Sequence, residues 1–191
     1  MNSCTDIEII NRIRSGSTVD FRLLVDRYSD RINSFLIAKS KNRNDLDDIL
    51  QETFLKAYLN LNSYQDTFQF SSWLYTIAYH ELCRFYTKNK NKKEQNLGGF
   101  EKIQEAKNFE SLGIWEEASR LQINFYTVLW LKYHEELDVK EIAVVMKSSV
   151  ALVKINLFRA RNQLKKIIVS GDTLRENKGV TTQSFLSQIS I

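Results

Sequence analysis

With 191 residues, 27 Lys and Arg against 23 Asp and Glu, and a net charge of +4, the chain is mildly basic and long enough for one domain or two small ones. Hydrophobic residues make up 43% of it, which excludes a disordered chain, and no run of about 18 apolar residues offers a membrane span. Proline is absent and glycine occurs 6 times, so helix breakers are few. The unclustered Cys4 and Cys83 give neither a disulfide framework nor a zinc site, and they suit a reducing cytosol. The first residues, MNSCTDIEIINRIRSGS, lack the basic-then-apolar order of a signal peptide. A cytoplasmic chain without membrane insertion is expected.

Ile7, Ile9, Ile10 and Ile13 predict a short amphipathic helix over 6–15, ended by the Ser15-Gly16-Ser17 break. A second helix is predicted over 19–41, with Phe21, Leu24, Val25, Tyr28, Ile32, Phe35 and Leu36 on its apolar face. The stretch DLDDILQETFLKAYLNL, residues 45–61, places Leu46, Ile49, Leu50, Phe54, Ala57, Tyr58 and Leu61 on one broad face. Asn44 or Asp45 is its expected cap, and Asp47 and Asp48 suit the first turn. Its other face is unusual, because Asp48, Glu52, Leu55 and Leu59, with Gln51 beside them, make a second stripe that the same core cannot bury. That stripe is either a solvated acidic face or a docking surface for a partner protein.

The next stretch, NSYQDTFQFSS, has no helical period. Ser71 or Ser72 is the expected cap of a helix carrying Trp73, Leu74, Ile77, Ala78, Leu82 and Phe85 inward. It runs into a basic cluster of Arg84, Lys88, Lys90, Lys92 and Lys93. Residues 1–93 therefore read as one all-α domain. Residues 94–114, broken by Gly98-Gly99 and Gly113, read as a flexible linker. A second small helical domain follows over 115–170, first with a helix marked by Leu121, Phe125, Val128, Leu129 and Tyr133. Asp138 then caps a short helix bearing Val139, Ile142, Ala143 and Met146; a Lys147-Ser148-Ser149 turn leads to a longer helix with Val150, Val153, Leu157, Leu164 and Ile168 inward. This is the pattern of a helix-turn-helix. Between Val145 and Ile168 the chain has Lys147, Lys154, Arg159, Arg161, Lys165 and Lys166 and no acid, which points to a polyanion. The tail, 171–191, is polar apart from Phe185, Leu186 and Ile189.

Taken in order, DLDDILQETFLKAYLNL, FSSWLYTIAYHELCRFY and LDVKEIAVVMKSSVALVKINLFRARNQLKKI resemble an extracytoplasmic-function sigma factor of the sigma-70 class. The resemblance covers most of residues 18–168. It implies that Asp48, Gln51, Glu52 and Leu55 dock on core RNA polymerase, at the β′ clamp, within an assembly that includes the β subunit. It also implies that 1–93 is region 2, which melts and holds the promoter −10 element, and that 115–170 is region 4, which reads the −35 element. The expected −10 residues are Tyr64, Gln65, Asp66, Thr67, Phe68, Gln69, Phe70, His80, Arg84 and Lys88. Tyr64, Phe68 and Phe70 would stack on an unstacked base, with at least one of them anchoring the loop instead. The expected −35 residues are Ser149, Leu152, Lys154, Ile155, Asn156 and Arg159, with phosphate positioning for Lys154, Arg159 and Arg161. An anti-sigma factor is a further partner that such a family member can have. Four departures stand out: Lys147 replaces the glycine usual in the turn, Leu152, Ile155 and Asn156 replace small or polar residues, His80 replaces an asparagine, and no proline precedes region 4.

Other function classes fit less well. His80 and His134 have no partner in a catalytic spacing, and there is no phosphate-cradling glycine loop, so neither an enzyme nor a cofactor is expected. His80 and Cys83 stand three apart on one helix, but no further metal ligands gather near them in the sequence. A stand-alone helix-turn-helix regulator would not need the acidic face at Asp48 and Glu52. A divergent sigma-like protein with weakened −35 recognition would tolerate Leu152 and Ile155.

Overall fold

The computed structural model describes residues 4–37, 39, 43–95 and 114–172, and among these every regular element is helical. The chain divides into two compact units. The first holds α1 (Asp6–Arg14), α2 (Phe21–Ile37), α3 (Arg43–Leu59) and α4 (Phe70–Gln95), with short 3₁₀ turns at Thr18–Asp20 and Leu61–Ser63. The second holds α5 (Ile114–Ala118), α6 (Ile123–Tyr133), most of α7 (Val139–Val145) and α8 (Val150–Asp172). The expected linker lies largely outside the described residues, as does almost all of the tail.

Local sequence accounts for most helix ends. Thr5 and Glu8 form a capping box at the start of α1. Gly16, at φ 109°, closes that helix, and the Ser17 amide donates back to the Arg12 carbonyl at 3.0 Å. Asp138 caps α7 as expected: its carboxylate accepts from the amides of Lys140 and Glu141 at 2.7 and 2.8 Å, while Glu141 accepts from the Asp138 amide at 3.0 Å. Two expected caps move. Helix α3 begins at Arg43, so Asn44 and Asp45 lie inside its first turn. Helix α4 begins at Phe70, and Ser71 and Ser72 are buried within it.

The core of the first unit is Leu24, Tyr28, Ile32, Phe35 and Leu36 of α2 against Leu46, Ile49, Phe54 and Ala57 of α3 and Leu74, Tyr75, Ala78 and Leu82 of α4. Thr53 joins the inner face of α3 because its hydroxyl is satisfied by the Ile49 carbonyl at 2.7 Å. Tyr58 was expected inward but is exposed, with its ring edge-on to Phe21 at 5.1 Å. On α4 the buried aromatics are Phe70, Tyr75 and Tyr79, whereas Trp73, Ile77 and Phe85 are only half-buried. The second unit is built on α6, in which Tyr126 through Leu131 are all buried. Trp115 packs on Trp130 at 4.8 Å, and His134 stacks on Trp130 at 4.0 Å, 6.0 Å from the Trp115 ring. Val153, Leu157, Ala160, Leu164 and Ile168 of α8 complete this core; Val150, expected among them, is the first residue of the helix and is exposed.

Candidate functional site

Helix α3 carries the first candidate surface. Its inner residues recur at helical spacing and are consumed by α2 and α4, which forces Asp48, Gln51, Leu55 and Leu59 outward. Leu55 is 52% exposed and Leu59 68% exposed, so two leucines stand in water beside acidic and amide groups. Glu52 belongs to the same face but is drawn sideways into an ion pair with Lys56 at 3.1 Å. Lys56 also pairs with Glu81 of α4 at 2.7 Å, and so ties the two helices together. The free acid of the row is therefore Asp48. A surface of this kind, apolar in the middle with charge at its edge, suits a basic-rimmed protein partner.

The second surface is the loop between the 3₁₀ turn and α4, together with the outward row of α4. Tyr64 and Phe70 are buried, and their rings pack with each other and with Trp73 at 5.5 Å in every pairing. Both therefore anchor the loop, the role expected of at least one of its three aromatics. The Tyr64 hydroxyl donates to the Phe68 carbonyl at 2.8 Å and closes the loop on itself. Phe68 stays half-buried, and Gln65, Asp66, Thr67 and Gln69 are exposed around it. On α4, His80, Arg84 and Lys88 follow at intervals of four and share one side of the helix with Thr76. His80 is half-buried with its ring 5.2 Å from that of Tyr79, while Arg84 and Lys88 are exposed. Arg84 is shared with Glu81 at 3.4 Å. This leaves polar loop residues and a cationic row on one unit, a combination that suits single-stranded nucleic acid. The side chains of Lys90, Lys92 and Lys93 lie outside the described residues.

The third surface is α8. Ser149 caps it, accepting from the Leu152 amide at 3.2 Å. Leu152, Lys154, Ile155 and Arg159 are exposed, and Asn156 is half-buried. One residue was missed: Phe158 is 60% exposed and extends the Leu152–Ile155 spacing by a further turn. Its helical phase was readable, since it stands three residues after Ile155. The turn before α8 contains Lys147 at φ 47°, the left-handed conformation that glycine adopts freely. The Ser148 amide donates to the Ala143 carbonyl at 2.8 Å and holds that turn closed. The helix-turn-helix geometry is thus kept without its glycine. His134, the other histidine, bonds Glu135 at 2.8 Å and covers Trp130, a packing role. Among the described residues, no three His, Cys, Asp or Glu side chains gather as metal ligands would.

Residues 24–92 match the family model for Sigma-70 region 2. The chain is 30% identical over 181 residues to the ECF RNA polymerase sigma-E factor of Escherichia coli (strain K12), an alignment covering 84% of this chain and 92% of the relative. It is 26% identical over 181 residues to the ECF RNA polymerase sigma-E factor of Haemophilus influenzae, covering 86% of this chain and 95% of that one. Among solved structures it is similar to the sigma factor RpoE bound to the anti-sigma factor NepR from Bartonella quintana. That match has a TM-score of 0.65 and 19% identity, and covers 78% of this chain and 96% of that one. CnrH in complex with the cytosolic domain of CnrY is similar at a TM-score of 0.64 and 20% identity, with 85% and 96% covered. These two likenesses establish a shared fold. Identity at this level over nearly the whole chain, with the region 2 match inside it, means that the protein belongs to the ECF sigma factors of the sigma-70 family.

Proposed function

We propose that this chain binds core RNA polymerase through the outward row of α3 and directs it to promoters. In this reading residues 1–93 act as region 2, 94–114 as the linker and 115–170 as region 4. The loop 64–69 and the His80, Arg84 and Lys88 row hold the melted −10 strand, and α8 reads the −35 duplex through Ser149, Leu152, Lys154, Ile155, Asn156 and Arg159. The observation that carries it is the division of α3: one face is fully used by its own unit, and the other shows Asp48, Gln51, Leu55 and Leu59 to solvent. Sigma factors are non-enzymatic initiation factors, so catalysis belongs to the polymerase and the chain is not an enzyme. Its place of action is the cytoplasm, and on polymerase it would be associated with the nucleoid. An anti-sigma factor belongs to the same proposal, because the RpoE neighbour was solved with one.

The test is co-elution with core polymerase. The wild-type chain is expected to co-elute, and Asp48→Lys combined with Leu55→Glu to weaken binding by roughly tenfold or more at unchanged melting temperature. A wild-type chain that never co-elutes would sink the reading. A second reading is favoured by one observation: Leu152, Ile155 and Phe158 present apolar side chains on the helix expected to read DNA. A sigma-like protein that binds polymerase but reads the −35 element weakly would show polymerase binding with no preference among duplex sequences.

A further inference from the structure

The exposed apolar row of α8 runs further along the helix than base reading requires. Ile155, Phe158, Asn162 and Val169 follow one another at intervals of three, four and seven, so they share one side of the helix, with Leu152 at its near end. Leu152 and Ile155 are nearly half exposed, Phe158 more so, and Val169 is 57% exposed. A recognition helix meets bases through residues near its N-terminus, whereas Phe158 and Val169 stand roughly two and five turns along. Exposed cations border the row, Lys154 and Lys165 on one side and Arg159 and Lys166 on the other. The opposite face of α8 is already used by the core of its own unit.

A second copy of α8 fits this row badly, because it would set the bordering cations against their own counterparts. The chain itself holds a better match. Residues 179–191, outside the described residues, carry no charged side chain, and Phe185, Leu186 and Ile189 have the i, i+1, i+4 spacing of an apolar helix face. Residues 173–184 span up to about 40 Å when extended. Helix α8 ends at Asp172, and Ile155 lies only about 25 Å back along it, so the segment reaches the row on its own tether. We propose that the segment 185–189 docks on Leu152, Ile155 and Phe158 and shields α8 from duplex DNA. Docking takes apolar side chains out of water and brings no cation toward Lys154 or Arg159. The tether supplies an effective concentration on the order of millimolar, so a few apolar contacts suffice. The docking stands on α8 alone; the shielding rests on the reading of α8 as the −35 helix.

The full chain is made with a photoreactive phenylalanine analogue in place of Phe185, mixed with an isotopically heavy copy and irradiated. The expected product is a link within one chain to the 152–158 stretch of α8. A link between heavy and light chains assigns the row to a second copy and overturns the docking, as does a link elsewhere or none. In parallel, a labelled duplex of mixed sequence is titrated with the wild type and with the triple variant Phe185→Ser, Leu186→Ser, Ile189→Ser. A docked segment lowers apparent affinity by the fraction of chains left open, so the variant is expected to bind about three- to tenfold more tightly. Serine adds no charge, so the salt slope should stay the same, and the gain then reads the uncovering of α8 rather than a new phosphate contact. Equal affinity of the two chains, with the link within one chain in place, overturns the shielding. Duplex binding by neither chain removes the reading of α8 as a DNA helix and the shielding with it, while the link still decides the docking.

Discussion

At Lys147 a side chain sits where the backbone would rather have none. A left-handed conformation costs an ordinary L-residue on the order of 1 kcal/mol, and the turn adopts it because the Schellman bond from Ser148 to Ala143 requires it. Lys147→Gly should therefore raise stability by about 0.5–1 kcal/mol in urea unfolding, without moving α8. Tyr64 makes the opposite case. Removing its hydroxyl in Tyr64→Phe forfeits the 2.8 Å bond to Phe68, a cost of about 1 kcal/mol. The amides of 65–67 should then exchange faster with solvent while those of α2 do not change. Tyr28 gives the chain a pH response. Burial first, and then its hydrogen bond to Asp6, raise its phenol above the ordinary 10.0. A raised pKa means that the stability is fully present below the unfolded value and is lost as pH climbs toward the folded one. Unfolding free energy should fall from about pH 10 upward, and Tyr28→Phe should flatten that fall.

At the scale of a helix, the two faces of α3 set how its mutants can be read. Glu52→Lys would break the Glu52–Lys56–Glu81 chain that ties α3 to α4, so it would mix a modest loss of stability with any loss of docking. Asp48→Lys touches no such tie and is the cleaner probe; its effect on polymerase affinity should shrink as salt rises, since exposed charges are screened. On α8 the apolar and cationic residues should separate by assay. Lys154→Ala is expected to weaken duplex binding evenly across sequences and reduce the salt slope by about 1. Leu152→Ala or Phe158→Ala should instead alter the ranking of duplex sequences, because apolar side chains contact thymine methyls and carry no charge to phosphate. A ranking unchanged by either substitution would favour the divergent reading.

At the scale of the whole molecule, the fold provides two compact units, each with its own core and its own exposed basic residues. Two modest contacts on one DNA, joined by a linker, gain from effective concentration what neither has alone. Overexpression followed by start-site mapping should then yield promoters sharing two short motifs at fixed separation. A set sharing only the upstream or only the downstream motif would show that one unit does the selecting.

Much of this was legible from spacing. The period of α2, the Asp138 cap, the helix-turn-helix and the outward stripe of α3 all follow from local pattern, because a helix sorts its residues by angle alone. The sequence by itself determined which elements form and which face of each is apolar. Only tertiary structure decided what each loop aromatic does, since Tyr64 and Phe70 gain a partner in Trp73 that no local rule supplies. The same holds for Glu52, whose carboxylate is committed through Lys56 to a helix nearly thirty residues on. It holds above all for α1, which is tied to the start of the loop through the bonds of Arg14 to the Leu61 and Tyr64 carbonyls. Such contacts depend on where separate helices come to rest, and that is fixed by packing of the whole core, which sequence periodicity does not encode.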